Sequence, residues 1–261
     1  MFKTLTAVAV AALTMVGGVQ AATVATIDLF STFQADVIDT TANGISVSSE
    51  VGSNVDATIL GGFRELIISQ TIHQRTTSTS TLGVNSGFLN MSNSAGTAST
   101  GTVRWDGQSA VTGGAINVTG LMGEDIGNVF TDFFELQVDF ADGAYFFRID
   151  AYTSATQWSS VQIAANQHAL PITTFIPLLA FLDCTNAVPP GPPMVTVTCG
   201  AGGAVDFDNL GALQAVIDVN GTATNLDLSL NLVTVVPEPN AIALVGLALI
   251  GAGVASRRRK V

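Results

Sequence analysis

Alternation of apolar and polar residues is the main structural signal in the middle of the chain. The run NLDLSLNLV (225–233) places a leucine at every second position, which is typical of a strand with one buried face. Together with QAVIDV and the turn at Asn220 and Gly221, it predicts a hairpin from Gln214 to Val233. FFELQVDFADGAYFFRIDAY (133–152) predicts a second hairpin about Asp142 and Gly143.

Shorter runs extend this pattern along the chain. Four more segments look like strands: ELIISQTI (65–72), GFLNMS (87–92), TGTVRWDG (100–107) and AINVTG (115–120). The apolar stretch HALPITTFIPLLAFLDC (168–184) fits neither period and is read as a core strand or a short helix. Many short strands with Ser, Thr and Gly between them predict an all-β fold, an antiparallel β-sandwich or jelly roll, over residues 22–235.

The first 21 residues have the pattern of a secretory signal peptide. MFKTLTAVAVAALTMVGGVQA has a cation at Lys3, an apolar run from Leu5 to Val16, and small residues at Val19 and Ala21. The alternative, an uncleaved anchor, would need a longer apolar run to cross a ~30 Å hydrocarbon core. We therefore expect cleavage after Ala21 or Ala22.

A second apolar run lies near the other end and is followed by a basic tail. Residues 241–256 are predicted to form a short transmembrane helix, although a buried core helix is the structural alternative. Lys and Arg side chains next to a span favour the cytoplasmic side, so the tail predicts that the preceding chain lies outside the inner membrane. The tail consists of Arg257, Arg258, Arg259 and Lys260.

The order of these C-terminal features resembles the PEP-CTERM sorting signal of Gram-negative bacteria. The signal would span residues 236–261 and begin with the motif Val236, Pro237, Glu238 and Pro239. The resemblance implies that exosortase, a membrane-embedded protease, is a transient partner that removes the helix and tail. It further implies delivery to the cell surface or extracellular matrix, where such proteins accompany exopolysaccharide. Proline keeps the motif extended, and Glu238 is its only charge, so we expect Glu238 to contribute to recognition.

Removing both ends makes the remaining chain more acidic. Residues 22–236 hold 19 acidic residues and only four cations, which gives a net charge of about −15. Such a surface disfavours nucleic acid and anionic lipid, and would meet an acidic polysaccharide only through divalent cations. In an oxidising compartment, Cys184 and Cys199 are expected to form a disulfide around a proline-rich loop.

Catalytic motifs are absent from the sequence, and two weaker kinds of site stay open. The chain has no G-x-S-x-G, H-E-x-x-H, Walker or Rossmann motif, so we expect no enzyme and no cofactor. Asp206 and Asp208 are weak calcium candidates, against the alternative that they are turn residues. Four aromatic residues could stack on sugars, against the alternative of core packing: Trp105, Trp158, Tyr145 and Tyr152.

A weaker resemblance concerns ILGGFREL (59–66) and the tripeptide Trp105, Asp106, Gly107. These segments are similar to patterns in the ectodomains of many PEP-CTERM proteins, whose activity is not characterised. Gly61 and Gly62 are expected to form a turn that other residues disfavour, and Arg64 to pair with an acid such as Asp106.

The expected function is that of an exported, exosortase-processed surface or matrix protein, structural or adhesive and non-catalytic. A carbohydrate-binding module that recognises the exopolysaccharide is the second expectation, and a secreted hydrolase a distant third.

Overall fold

Two seven-stranded sheets make up the part of the chain described by the computed structural model, residues 23–108, 112–185 and 195–238. The strands of the first, sheet I, are β1 (Ala25–Asp28), β2 (Gln34–Asp39), β5 (Ser80–Asn85), β6 (Phe88–Asn93), β8 (Asp132–Ala141), β11 (Ile172–Pro177) and β14 (Asp227–Pro237). They are ordered β11-β8-β14-β6-β5-β2, and β1 also pairs with β14.

Sheet II contains the other seven strands. They are β3 (Val47–Gly52), β4 (Phe63–Ile72), β7 (Ala98–Trp105), β9 (Tyr145–Tyr152), β10 (Trp158–Ala165), β12 (Val195–Cys199) and β13 (Ala212–Ile217). Their order is β12-β10-β9-β13-β7-β4-β3, with antiparallel neighbours throughout. Three short 3₁₀ turns lie at Leu60–Gly62, Leu178–Leu182 and Phe207–Asn209.

A single apolar core lies between the two sheets. Every second side chain of β8, β9 and β10 points into it, as the period of two requires. The rings of Phe134, Phe181 and Phe207 pack edge to face, with centroids 5.4 to 5.9 Å apart. The predicted all-β sandwich is therefore confirmed.

Both predicted hairpins are wrong, because in each case the two strands belong to different sheets. β8 lies in sheet I, whereas β9 lies in sheet II between β10 and β13. Likewise β13 pairs with β7 and β9, whereas β14 pairs with β6 and β1. All six residues of β13 are buried, which is typical of a central strand covered on both faces, and its two edges pair with β7 and β9.

The other strand predictions have mixed outcomes. Segments 65–72, 87–92 and 100–107 coincide with β4, β6 and β7, whereas 115–120 forms turns instead of a strand. There the backbone N–H of Asn117 donates to the Asp106 carboxylate at 2.7 Å, which bends the segment back over sheet II. The stretch 168–184 is predicted to be a core strand or a short helix. It forms strand β11 and then the short 3₁₀ turn Leu178–Leu182, but β11 is a mostly exposed edge strand and not a core strand.

The chain divides into two units. Thr23–Val236 is one, and Met1–Ala22 with Pro237–Val261 is the other. Only Pro237 and Glu238 of the second unit are among the described residues, so the predicted signal peptide, the helix 241–256 and the basic tail lie outside them. Within the described residues, no helix is long and apolar enough to cross a membrane.

Candidate ligand-binding face

The outer face of sheet II carries rows of side chains set by strand register. On β9 the core receives Phe147 and Ile149, so Arg148 and Asp150 point the other way. Pairing with β10 places Ser160 opposite Asp150 and Gln162 opposite Arg148. We call this surface the outer face.

Two aromatic residues lie at one end of the outer face. Tyr152 and Trp158 are directly opposite on β9 and β10, with ring centroids 6.2 Å apart and planes 38° apart. Both are half-buried. A side-chain carbon at Gly200 would lie 2.6 Å from Cδ1 and Nε1 of Trp158, so the indole lies against the backbone of this glycine. We call this pair the aromatic platform.

The polar ends of the platform face solvent. Within the described residues, neither Nε1 of Trp158 nor the hydroxyl of Tyr152 has a protein hydrogen-bond partner, and neither is a buried unpaired atom. Burial, and secondarily the Asp150 carboxylate, raise the pKa of Tyr152, so its hydroxyl stays protonated. Both groups can therefore donate a hydrogen bond to a ligand.

A row of hydrogen-bonded polar side chains begins beside the platform and crosses five strands. Asp150 accepts from Ser160 at 2.6 Å and from Gln214 at 2.8 Å. Arg104 donates to the Gln214 carbonyl at 2.8 Å and forms an ion pair with Glu65 at 3.3 Å. We call the row Ser160, Asp150, Gln214, Arg104 and Glu65 the polar ladder.

The ladder side chains other than Arg104 are buried, whereas their neighbours towards edge strand β12 are accessible. At the β4 and β7 end, the backbone N–H of Gly113 donates to Glu65 and Arg104 donates to the carbonyl of Gly114 at 2.7 Å. Burial is the main cause that raises the pKa of Glu65 there. At the opposite end Thr196 and Thr198 of edge strand β12 are exposed, and Gln162 is half-buried. A ligand can therefore reach the outer face over β9, β10 and β12.

Charge on the outer face is largely internally paired. Arg148, about one third exposed, contacts Asp150 at 2.9 Å, while the Asp150 side chain is only 5% exposed. Arg104 is held by Glu65 and Gln214. The accessible groups are thus mostly amide, hydroxyl and aromatic, and they suit hydrogen bonding and stacking.

The residues of the weaker resemblance, in the segment ILGGFREL and at Trp105, lie in a buried cluster beside the 3₁₀ turn Leu60–Gly62. Arg64 is fully buried and pairs with Asp28 at 2.9 Å, not with Asp106 as predicted. Its other nitrogens donate to Gln34 at 2.9 Å and to the carbonyl of Thr32 at 2.6 Å. Nε1 of Trp105 donates to the same Asp28 at 2.9 Å.

These contacts give the cluster a structural character. Asp28 lies 36 residues before Arg64 and reaches it because β1 and β4 belong to opposing sheets, so the ion pair links the two layers. Gly61 and Gly62 have φ of 66° and 79°, which confirms the predicted turn.

The calcium candidates occupy a turn. The Asp206 carboxylate accepts from the backbone N–H of Asp208 at 3.2 Å and so caps the 3₁₀ turn Phe207–Asn209. No group of three or more His, Cys, Asp or Glu side chains in the described residues could hold a metal ion. Calcium binding stays a prediction, which the melting temperature in excess calcium would test.

The predicted disulfide between Cys184 and Cys199 is present. It joins the segment after Leu178–Leu182 to the end of β12, one residue before Gly200 under Trp158. Edge strand β12 of the outer face is therefore covalently joined to the segment that follows the 3₁₀ turn Leu178–Leu182.

The sorting motif begins inside a strand. β14 ends at Pro237, Val236 is 3% exposed, and Glu238 is exposed. Pro239 and the basic tail, Arg257, Arg258, Arg259 and Lys260, lie outside the described residues. The folded unit therefore extends to the motif itself.

Sequence reasoning identified the right residue types for stacking but not which of them are accessible. Trp105 and Tyr145 are buried, whereas Tyr152 and Trp158 form the aromatic platform. The polar ladder was missed because its members come from five separate segments. The alternation that places Arg148 and Asp150 on one face was visible in FFRIDAY, and it was the available signal.

Comparisons with known proteins concern the C-terminal sorting motif and the β-sandwich. The PEP-CTERM protein-sorting motif matches residues 235–260. A solved structure described as "CBM4 structure and function" matches 80% of this chain and 97% of its own, at 12% sequence identity and a TM-score of 0.34. The comparison with curated proteins finds no match. The prediction made from VPEP is confirmed: the chain carries a PEP-CTERM protein-sorting motif, consistent with a secreted substrate of exosortase.

Proposed function

We propose that this chain is an exported surface or extracellular-matrix protein, trimmed by exosortase, that acts without catalysis in an exopolysaccharide-rich matrix. The observation that carries the proposal is the sorting motif at residues 235–260. Exosortase meets the chain at the inner membrane, and the β-sandwich is the part delivered outside.

Properties of the sandwich support a workplace outside the cell. The Cys184–Cys199 disulfide suits an oxidising compartment. An excess of acids over cations keeps a secreted protein soluble and disfavours nucleic-acid partners.

Processing is tested by expressing the full chain in a Gram-negative host with exosortase and in the same strain without it. We expect a shortened form outside the cells of the first strain and full-length, membrane-associated protein in the second. Glu238→Ala should slow the shortening of the chain. Glu124→Ala, which removes an acidic side chain on the surface of the sandwich, should not. Equal shortening in both strains would refute processing by exosortase, and normal processing of Glu238→Ala would remove only the role of Glu238.

The non-catalytic part of the proposal needs a separate measurement. The secreted form, incubated with exopolysaccharide purified from the same host, should release no new reducing ends. Release that tracks with the purified protein would favour the hydrolase instead.

A second candidate function is carbohydrate binding. The observation that favours it is the aromatic platform, because two half-buried rings with solvent-facing polar ends lie beside accessible polar side chains of β10 and β12. The two candidates are compatible, since an adhesive matrix protein can hold its matrix through such a face.

A further inference from the structure

We propose that the aromatic platform and the open end of the outer face bind an uncharged polysaccharide, with the chain lying along β9 and β10. This inference rests on the carbohydrate-binding candidate above and specifies its site, its ligand class and its direction.

The platform supplies the apolar contact. A sugar ring has apolar C–H faces rimmed by hydroxyls, and aromatic rings with a polar tip match both features. The ring planes of Tyr152 and Trp158 are tilted by 38° from each other, so the two rings are close together but not coplanar. Gly200 lies against the indole and limits its movement, so little side-chain entropy is lost on binding.

The next rows supply hydrogen bonds at fixed positions. Ser160 and Thr198 are opposite each other in the second row, and Gln162 and Thr196 in the third. The exposed threonine hydroxyls and the half-buried Gln162 amide can each donate and accept, as sugar hydroxyls do. Their spacing is set by the sheet and not by mobile loops, which favours a preorganised site.

Pairing of the charges on this face selects against charged polymers. Arg148 and Arg104 are already paired with Asp150 and Glu65, so they offer little to an anionic chain. Asp150 and Glu65 are themselves buried, so they offer little to a cationic chain. The acidic exterior adds a general repulsion of anionic polymers. An uncharged chain escapes both penalties.

The shape of the face favours a chain over a single sugar. Four rows run from the Tyr152 and Trp158 pair to the Phe146 and Ala164 pair, six residues along the strand, or about 20 Å. Among the described residues no strand lies beyond edge strand β12, so on that side a polymer can lie along the strip without threading an end.

The experiment is affinity gel electrophoresis of the full chain in a polyoxyethylene detergent, which has no sugar headgroup. Gels contain hydroxyethyl cellulose, dextran or galactomannan as neutral polymers, or alginate as the anionic polymer. We expect slowed migration in at least one neutral gel and none in alginate. Trp158→Ala should raise the dissociation constant roughly tenfold or more, which is the loss of affinity typical of truncating an aromatic anchor.

Matched variants separate the site from general effects. Phe130→Ala removes an aromatic residue that is 76% exposed and lies in the loop before β8, so binding should be unchanged. Gln162→Ala tests the third row if Trp158→Ala does not fold, and should also weaken binding. Retardation in a neutral gel that survives both Trp158→Ala and Gln162→Ala overturns this site while leaving carbohydrate binding intact. No retardation in any neutral gel, or retardation in alginate alone, overturns the ligand class. None of these outcomes alters the processing assay, which tests the sorting proposal by itself.

Discussion

At the residue scale, the buried Arg64 side chain is the most demanding feature of the sandwich. Its guanidinium is fully buried, and Asp28 accepts from it with both carboxylate oxygens, at 2.9 and 3.1 Å. Arg64→Ala would leave the Asp28 carboxylate buried without a counter-charge. We expect a loss of unfolding free energy of about 3 to 5 kcal/mol, measured by urea denaturation.

Arg75→Ala is the matched control for that variant. Arg75 is exposed and has no ion pair within the described residues, so its loss should change stability by less than about 0.5 kcal/mol. If Arg64→Ala were no more damaging than Arg75→Ala, the ion pair would not be linking the two sheets.

The glycines beside Arg64 give a second test at this scale. Gly62 has φ +79° and a side-chain carbon there would overlap the carbonyl oxygen of Ser53, whereas Gly87 has φ +84° and open space around it. Gly62→Ala should therefore cost clearly more than Gly87→Ala, for which only the ~1 to 2 kcal/mol of left-handed strain is expected. Thermal unfolding of both variants measures the difference, and equal losses would contradict the crowding at Gly62.

The turn at Gly61 and Gly62 was predicted from the sequence, but the ion-pair partner of Arg64 was not. A Gly–Gly pair indicates positive φ locally, so the turn could be predicted from two adjacent residues. The partner of a buried cation depends on which strands face each other across the core. Asp106 was the predicted example, and nothing local in the sequence distinguishes it from Asp28, which is selected only by the packing of β1 over β4.

At the element scale, β14 limits where the chain can be cut. Val235 and Val236 are buried, and the carbonyl of Val235 accepts from the N–H of Val24 at 2.8 Å. A protease cleft binds extended substrate whose backbone groups are free, so the folded strand is protected through Val236. The shortened form should retain Val236, as read from its intact mass. A C-terminus at or before Val235 would mean that cleavage precedes folding of β14.

The disulfide restrains a second element, edge strand β12. The bond between Cys184 and Cys199 closes a loop of sequence separation 15, so its reduction should cost about 3 kcal/mol of unfolding free energy. Urea denaturation with and without a phosphine reductant measures this cost. The Cys184→Ser, Cys199→Ser double variant is the control and should not respond to the reductant. An unchanged wild-type midpoint in reductant would show that the loop contributes nothing to stability.

Strands were easier to predict than their partners. β4, β6, β7 and β14 follow from local alternation, because burial of one face imposes a period of two. The choice of sheet is not a local property. Turns at Asp142 and Gly143, and at Asn220 and Gly221, suit hairpins, yet both connections cross between sheets because β9 and β13 are needed inside sheet II. The outer face inherits this limit, since its ladder exists only once five strands are ordered.

At the scale of the whole molecule, most of the cationic side chains of residues 22–236 are in ion pairs, whereas the acidic side chains are in large excess. Of the four cations in residues 22–236, Arg64, Arg104 and Arg148 form ion pairs with acids. The 19 acids against four cations leave this part of the chain strongly negative, and the mutual repulsion of its carboxylates opposes the compact state.

Several carboxyls of the sandwich also hold protons more tightly when folded. Burial raises the pKa of Asp28, Glu65, Asp106 and Asp218, and for Asp28 the Arg64 guanidinium opposes this rise. Oδ1 of Asp106 is buried with no partner among the described residues, so burial of this oxygen is not compensated by a hydrogen bond. Hydrogen bonds from Thr58 and Thr32 lower the pKa of Asp56, which acts in the opposite direction.

The sign of the resulting pH dependence follows from linkage. Where a carboxyl has a raised pKa in the folded state, that state binds more protons than the unfolded chain, so stability is lost as pH rises from about 4 through the raised values. The Asp56 contribution is lost only as pH falls below its ordinary value of 3.8, outside this window. We therefore expect a higher melting temperature at about pH 5 than at about pH 8.

High salt screens the surface repulsion but not the buried groups, so part of the difference in melting temperature should persist in salt. The variants Asp106→Asn and Asp218→Asn should each reduce what persists. A melting temperature that rises from pH 5 to pH 8 would mean that paired, ionised carboxylates dominate, and that the buried acids are charged in the folded state.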